Sequence, residues 1–375
     1  MTDGPKSPRI YSLDVFRGAT IAGMILVNNP GSWEAIYGPL QHAPWHGLTP
    51  TDLIFPFFLF IVGVSISIAL GKRAESADKK DVYKKIVRRF LVIFVFGLFL
   101  NAFPFFDLEH LRIPGVLQRI AVCYLVASLI FLHTGWKQQG AVAVGLLILY
   151  WASLYIFQVP GCDVTTIDDK ACNVAAYLDR LILGESHIWS LGKVYDPEGI
   201  LSTVPAIATT LSGVLTGTWL RSVRGEYEKA AGMFFAGSIL LVLGWIWSFW
   251  FPLNKSLWTS SYVLYTSGLA LSFLGCCYWI CDIKDFKKWA KPFEILGVNA
   301  IFLYMGAELL ARTLTSINAS GTGPDGTTLK EAIYAHLFEP FFAPANASLL
   351  FALTFVLLWL GALAILYRKK IFIKI

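Results

Sequence analysis

Charged side chains are what this sequence has least of. Only 15% of its 375 residues are Asp, Glu, Lys or Arg, where a soluble domain carries about 25%. With 56% of the residues hydrophobic and several apolar runs of about 20 residues, the deficit excludes an ordinary soluble domain. It predicts an all-α polytopic membrane protein. The six cysteines include no Cys-x-x-Cys pair, and no His-rich spacing accompanies them, so no metal centre is expected. Heptads, low-complexity tails and a soluble second domain are missing too, so residues 1–375 read as a single transmembrane domain. No internal repeat is visible, which weakens a transporter built from inverted halves. No cleavable signal pattern accompanies the first apolar run, which is therefore expected to remain as a span.

What is present is an ordered series of apolar segments. Ten spans are expected, near 12–29, 52–71, 88–104, 115–133, 140–158, 199–220, 231–251, 260–281, 294–314 and 347–367. With the N-terminus inside, the inner segments hold 22 of the 31 Lys and Arg residues. The outer loops hold Arg112, Lys170, Arg180, Lys193, Lys255 and Lys330. This is a positive-inside distribution, and it predicts that both termini are cytoplasmic. It also accounts for the net charge of +6 without any nucleic-acid partner.

The external loops are expected at about 30–51, 159–198 and 315–346. The second carries Cys162 and Cys172, both outside by topology, and a disulfide closing a nine-residue loop is expected in an oxidising compartment. Cys123, Cys276, Cys277 and Cys281 fall in or near spans, as small packing residues. The third loop is Gly-rich at Gly321–Gly326, with a short helix expected from Leu329 to Phe338.

Charged and polar groups within spans cost free energy and point to function. Asp14 and Arg17, three apart at the start of the first span, share a helix face. They suit either an internal ion pair or a phosphate site. Gln118 and Arg119 lie about a turn inside the fourth span and must face the bundle, in a buried network or lining a cavity. At the outer face, Asn28 and Asn29 end the first span, while His42, His46 and Asp52 precede and open the second. The loop between Asn28 and His42 returns to the same face, so the two can meet. Imidazole can take a proton or attack a carbonyl. An amide can donate to an oxyanion, and Asp52 can hold a histidine tautomer. The bland alternative for each histidine is an interfacial cap.

Two later stretches are double-edged as well. Tyr195-Asp-Pro-Glu-Gly199 offers Asp196 as a helix cap before Pro197, or Asp196 and Glu198 as a pair recognising a cationic or hydroxyl-rich substrate. In Asn254-Lys-Ser-Leu-Trp258, Trp258 suits the membrane interface belt or stacking on a sugar. The densest basic segment is Lys72, Arg73, Lys79, Lys80, Lys84, Lys85, Arg88 and Arg89. It suits anionic headgroups or a phosphate-rich cofactor approaching from the cytoplasm.

These motifs resemble one family. Leu13-Asp-Val-Phe-Arg-Gly18, Val27-Asn-Asn29, His42-Ala-Pro-Trp-His-Gly-Leu-Thr49, Asp52-Leu-Ile-Phe-Pro56 and Arg112-Ile-Pro-Gly-Val-Leu-Gln-Arg119 are similar to the transmembrane N-acetyltransferases of the heparan-α-glucosaminide type. Tyr195–Gly199, Asn254–Trp258 and Leu296-Gly-Val-Asn-Ala300 extend the resemblance over most of the chain. It implies an enzyme of the bacterial inner membrane with its active site toward the periplasm, resembling the short bacterial members. Acetyl from cytoplasmic acetyl-CoA would pass to the amine of a glucosamine-type sugar. It implies His42 as base or acetyl carrier with Asn28 beside it, and it makes His46, whose place need not hold a histidine in the family, a secondary candidate. With the reading of the residues, Asp52 joins His42 and Asn28, while His46, Asp196, Glu198, Asn254 and Trp258 are expected toward the acceptor. Asp14, Arg17, Gln118, Arg119 and Asn299 would face the donor, and a homodimer is compatible with the topology. From the residues alone, an amino-sugar or muropeptide permease stays open beside the enzyme, as does a membrane scaffold. Acetyl-CoA binding separates the enzyme from both.

Overall fold

The computed structural model describes residues 10–74, 79–319 and 327–373. The Gly321–Gly326 stretch and the first nine residues lie outside the described residues. Among those described, every regular element is helical: α1 Tyr11–Asn28, α2 Ile54–Ala74, α3 Lys80–Ala102, α4 Val116–His133, α5 Trp136–Ile156, α6 Val174–Leu183 and α7 Thr203–Leu220. They are followed by α8 Glu226–Trp247, α9 Ser260–Tyr278, α10 Lys291–Val298, α11 Ala300–Ser316, α12 Leu329–Leu337 and α13 Pro344–Arg368.

A helix stands in each range where a span is expected. Six of these segments are long and apolar enough to cross a membrane, and seven if α10 and α11 count as one bent span. α1, α3 and α7 fall outside that group. α3 begins with Lys80, Asp81, Lys84, Lys85, Arg88 and Arg89, α1 carries Asp14 and Arg17, and α7 is rich in Thr and Gly. The expected straight span at 294–314 is also corrected. The chain turns by 82° between α10 and α11. At the break, the Asn299 side chain donates to Ile371 O at 3.2 Å and accepts from Ile373 N at 2.8 Å. It therefore holds the chain after α13 instead of continuing a helix.

Burial separates an inner layer from an outer one. In α2, α4 and α9, 56% of the apolar window is buried, against 22% in α5, α8 and α13. The outer helices present apolar side chains such as Leu149, Phe235 and Leu357 outward, as lipid-facing surfaces do. Several crossings are close enough to need glycine, and two of them bear on the site. A Cβ on Gly63 would stand 1.9 Å from Thr210 O, and one on Gly213 would stand 2.0 Å from Phe60 O, so α2 and α7 touch backbone to backbone. Gly18 and Gly297 do the same for α1 and α10. Small residues at a crossing permit this approach, and the second crossing brings the α10–α11 bend beside Arg17.

Candidate active site

The loop before α2 creates the site. Thr49 and Asp52 form a capping box around a turn led by Pro50, which satisfies the free N–H groups of a helix start. Asp52 Oδ2 accepts from Thr49 N at 3.0 Å, Ala43 N at 3.1 Å and Thr49 Oγ1 at 3.1 Å. Asp52 Oδ1 remains, and it lies 2.6 Å from His42 Nδ1. Tyr262 Oη donates to the Asp52 carbonyl at 2.5 Å and ties the turn to α9. A buried carboxylate already filled on one oxygen accepts the His42 Nδ1 proton on the other, which leaves Nε2 with its lone pair.

Lys255 completes this cluster. Its Nζ is 3.3 Å from each His42 ring nitrogen. Since Nδ1 is a donor to Asp52, the ammonium donates to Nε2. Burial pushes the Lys255 ammonium below the usual lysine range, against the opposing pull of Glu198 and Asp52.

His42 and Lys255 open into a cavity of about 420 Å³, within the size range of small-molecule sites. Its wall includes Ile54, Phe58, Ile61, Ser65, Ala69 and Leu70 of α2. Sixteen residue steps of helix from Ile54 to Leu70 make it about 24 Å long. Asn28, Glu198 and Tyr304 also line it, as do Arg17 and Arg89. Arg17 lies at the end away from His42, donating to Ser65 Oγ at 3.2 Å and Gly297 O at 3.4 Å, and to Asp14 Oδ1 at 3.2 Å. Arg89 stands 4.9 Å over the Tyr124 ring. One end is thus basic, and the other holds a histidine–carboxylate pair.

The remaining residues singled out in the sequence divide. Asn28 lines the cavity, and its amide donates to Glu308 at 3.4 Å; no hydrogen bond joins it to His42. Gln118, Arg119 and Asn299 are buried but are not part of the cavity wall. Arg119 donates to Gly199 O at 3.2 Å and to Ser202 Oγ, and stacks 5.1 Å over Trp258. Trp258 is neither in an interface belt nor open to a sugar. It is fully buried, with Phe55 and Tyr262 packed edge-on and Nε1 donating to Thr209 at 3.1 Å. Its φ of +53° turns the ring inward. Asn254 Oδ1 accepts from Leu257 N at 2.8 Å, and its amide reaches His46 Nδ1 at 3.3 Å. His46 Nε2 is 2.8 Å from Asp168, inside the loop closed by the Cys162–Cys172 disulfide. The bond expected there is present, and it lies at the His42 end.

Asp196 does not cap α7, which begins at Thr203. Its carboxylate takes Arg112 as a fork, with Nε to Oδ2 at 2.8 Å and Nη2 to Oδ1 at 2.6 Å. Arg112 Nη2 also reaches Glu198 Oε2 at 2.5 Å. Burial would raise the Glu198 pKa, but the Arg112 and Arg119 charges outweigh it and hold the carboxyl below its usual range.

Nearby, burial pushes Asp179 up to about 7, while its bond from Ile200 N pulls the other way. The folded state then keeps a proton that the unfolded chain gives up near pH 4, so stability falls as pH rises between about 4 and 7. The melting temperature of the detergent-solubilised protein is expected to be higher at pH 5 than at pH 8. Asp179→Asn, which keeps the acceptor for Ile200, should flatten that difference.

Sequence reasoning missed Lys255, Tyr262 and Glu308. The one sequence signal for Lys255 is its place in Asn254-Lys-Ser-Leu-Trp258.

Comparison with known proteins bears on what this arrangement belongs to. The family model "Heparan-alpha-glucosaminide N-acetyltransferase, catalytic" matches residues 9–244. That stretch holds Arg17, Asn28, His42, Asp52, Arg89, Arg112 and Glu198, while Lys255 lies beyond it. Heparan-alpha-glucosaminide N-acetyltransferases of Homo sapiens and Mus musculus are each 30% identical to the chain over 98% of its length. The chain spans 60% of the length of these relatives. With most of its site and most of its length within the match, the chain belongs to the heparan-alpha-glucosaminide N-acetyltransferase catalytic family.

Proposed function

We propose that this protein is a single-domain transmembrane acetyltransferase that takes acetyl from acetyl-CoA and places it on the amine of a glucosamine-type sugar. The observation that carries this reading is the cavity along α2, basic at one end and closed by His42 and Lys255 at the other. Arg17 and Arg89 suit the phosphates of CoA. The apolar middle, with Phe58, Ile61, Val62 and Ile66, suits the slim pantetheine arm, and the thioester would then reach His42. Asp14 steadies Arg17, while Gln118, Arg119 and Asn299 shape the surrounding bundle instead of touching the donor.

His42 Nε2 takes the proton of the attacking amine, or receives the acetyl group itself. Asp52 fixes the tautomer that leaves Nε2 basic and supports the imidazolium formed. Asn28 positions the thioester carbonyl. On collapse the C–S bond breaks, and the proton on His42 goes to the CoA thiolate. Glu198 lines the cavity on the acceptor's side, and the buried Asn254 holds His46 beside the His42 loop, toward a hydroxyl-rich acceptor. Asp196 serves through Arg112, and Trp258 as a packed wall.

Sidedness follows from charge and redox chemistry. The basic end faces the cytoplasm by the positive-inside distribution, and the disulfide near His46 suits an oxidising compartment. We place the protein in a bacterial inner membrane with ten spans, α1, α3 and α7 included, and both termini cytoplasmic. A homodimer is compatible with the outer helices. A permease would use a cavity within the bundle as well, but it has no need of a carboxylate that fixes a histidine tautomer.

The test is acetyl transfer from labelled acetyl-CoA to a panel of amino sugars by purified protein. His42→Ala is expected to remove transfer while acetyl-CoA still raises the melting temperature. Full activity in His42→Ala would sink the assignment.

A further inference from the structure

Resting on the acetyltransferase reading, we infer that Lys255 is a second catalytic group, whose ammonium receives the oxyanion of the tetrahedral intermediate. Acyl transfer to an amine forms an N–C bond at the thioester carbonyl and drives its π electrons onto oxygen. That negative charge must be met by donors at the His42 end of the cavity. Thr51 Oγ1 is engaged with Pro39 O, Glu198 is an acceptor paired to Arg112, and the neutral Asn28 amide gives one N–H to Glu308 at 3.4 Å and keeps the other for the thioester carbonyl. Arg17 sits at the opposite end of the cavity, with its hydrogen bonds to Ser65 and Gly297. Lys255 is the cation that stands beside the base.

Three features fit it for the task. First, among the described residues no carboxylate stands within ion-pair distance of its Nζ, whose hydrogen bonds run to the His42 ring. Its charge is therefore not consumed by a salt bridge. Second, its backbone is held rigidly. Lys255 O accepts from Trp258 N at 3.1 Å, Asn254 N donates to Thr259 Oγ1 at 3.1 Å, and Tyr150 Oη donates to Leu257 O. The buried Trp258 ring anchors the end of the turn. A flexible stem on a fixed base lets the ammonium move locally without losing its address. Third, its resting partner is the atom the acceptor amine must reach. When the amine replaces the ammonium at His42 Nε2, the displaced group needs to move only about 3 Å, one hydrogen-bond length, to meet the carbonyl oxygen next to that amine.

The steps balance. The amine nitrogen bonds to the carbonyl carbon as its proton passes to His42 Nε2, and the oxyanion forms against the Lys255 ammonium. Collapse restores the carbonyl and expels the CoA thiolate, which takes the proton from His42. Lys255 keeps its own proton throughout and returns to Nε2 when the product leaves.

The experiment uses the full chain in lipid nanodiscs with labelled acetyl-CoA and glucosamine or a glucosaminide disaccharide. Rates are counted per acetyl-CoA-binding molecule, so a loss of folded protein does not register. Lys255→Met is expected to lower kcat on the order of 10²–10³-fold, as for loss of an oxyanion donor. The KM values for both substrates should stay within about twofold. Lys255→Arg, which restores a charged donor, should recover part of the loss, and Lys255→Gln less. A kcat for Lys255→Met close to that of the unsubstituted protein would overturn the inference, and so would a loss confined to KM. If the unsubstituted protein transfers acetyl to neither acceptor, the acetyltransferase reading falls, and the inference with it.

Discussion

If the proposed acetyl transfer runs through His42, Asp52→Asn is expected to lower its kcat by about 10⁴-fold, the scale seen when a histidine in a catalytic triad is left in the wrong tautomer. The reason lies in how the carboxylate is used. One oxygen accepts from Thr49 N, Ala43 N and Thr49 Oγ1, and the other accepts from His42 Nδ1 at 2.6 Å. An asparagine has one acceptor oxygen and one donor NH₂. The backbone N–H groups of Thr49 and Ala43 claim the oxygen, so the NH₂ is turned toward His42. Nδ1 must then present its lone pair, Nε2 carries the proton, and the base is lost. Because the cap is kept, melting temperature and acetyl-CoA binding should change little, so kinetics read the tautomer separately from the fold. Near-normal kcat in Asp52→Asn would show that the tautomer does not limit the reaction.

The largest expected effect on stability belongs to Arg112→Met. Arg112 joins Asp196, whose side chain is fully buried, to the nearly buried Glu198. Removing the guanidinium strands two carboxylates among protein atoms. Breaking one partner out of such a buried arrangement costs about 3–5 kcal/mol, a large share of the roughly 5–15 kcal/mol that keeps an ordinary domain folded. The expected result is a large drop in melting temperature in detergent. The triple change Arg112→Met, Asp196→Asn and Glu198→Gln should recover much of it, since neutral amides cost less to bury. An unchanged melting temperature in Arg112→Met would mean that water reaches the two carboxylates. Glu198 also lines the cavity, so the ion pair positions a wall of the site.

Much of this architecture was legible in the chain itself, and the misses have a common cause. Among the described residues, thirteen α-helices include one in each of the ten expected ranges, because hydropathy accumulates over about 20 residues and tolerates single exceptions. The meeting of His42 with Asp52 was within reach too, since both sit on one short loop. Asn28 was expected beside His42 and shares its cavity, but it turns to Glu308, 280 positions away. Asp196 looked like a helix cap and is instead spent on Arg112, 84 positions earlier. In Asn254–Trp258 the emphasis fell on Trp258, yet the left-handed backbone there buries the ring and leaves Lys255 to face the histidine.

The sequence alone determined the class of protein, its apolar segments and the loop carrying the histidines. These are properties of composition and short spacing, set by the cost of placing charge in hydrocarbon. Only the tertiary structure decided which polar groups share one cavity and which are consumed in buried pairs. It also decided that the ninth apolar segment bends by 82° at Asn299. Those outcomes depend on the rotation and crossing of helices far apart in the chain. Glycine contacts at Gly63, Gly213, Gly18 and Gly297 fix two of these crossings, and no local pattern announces which backbone each glycine will meet.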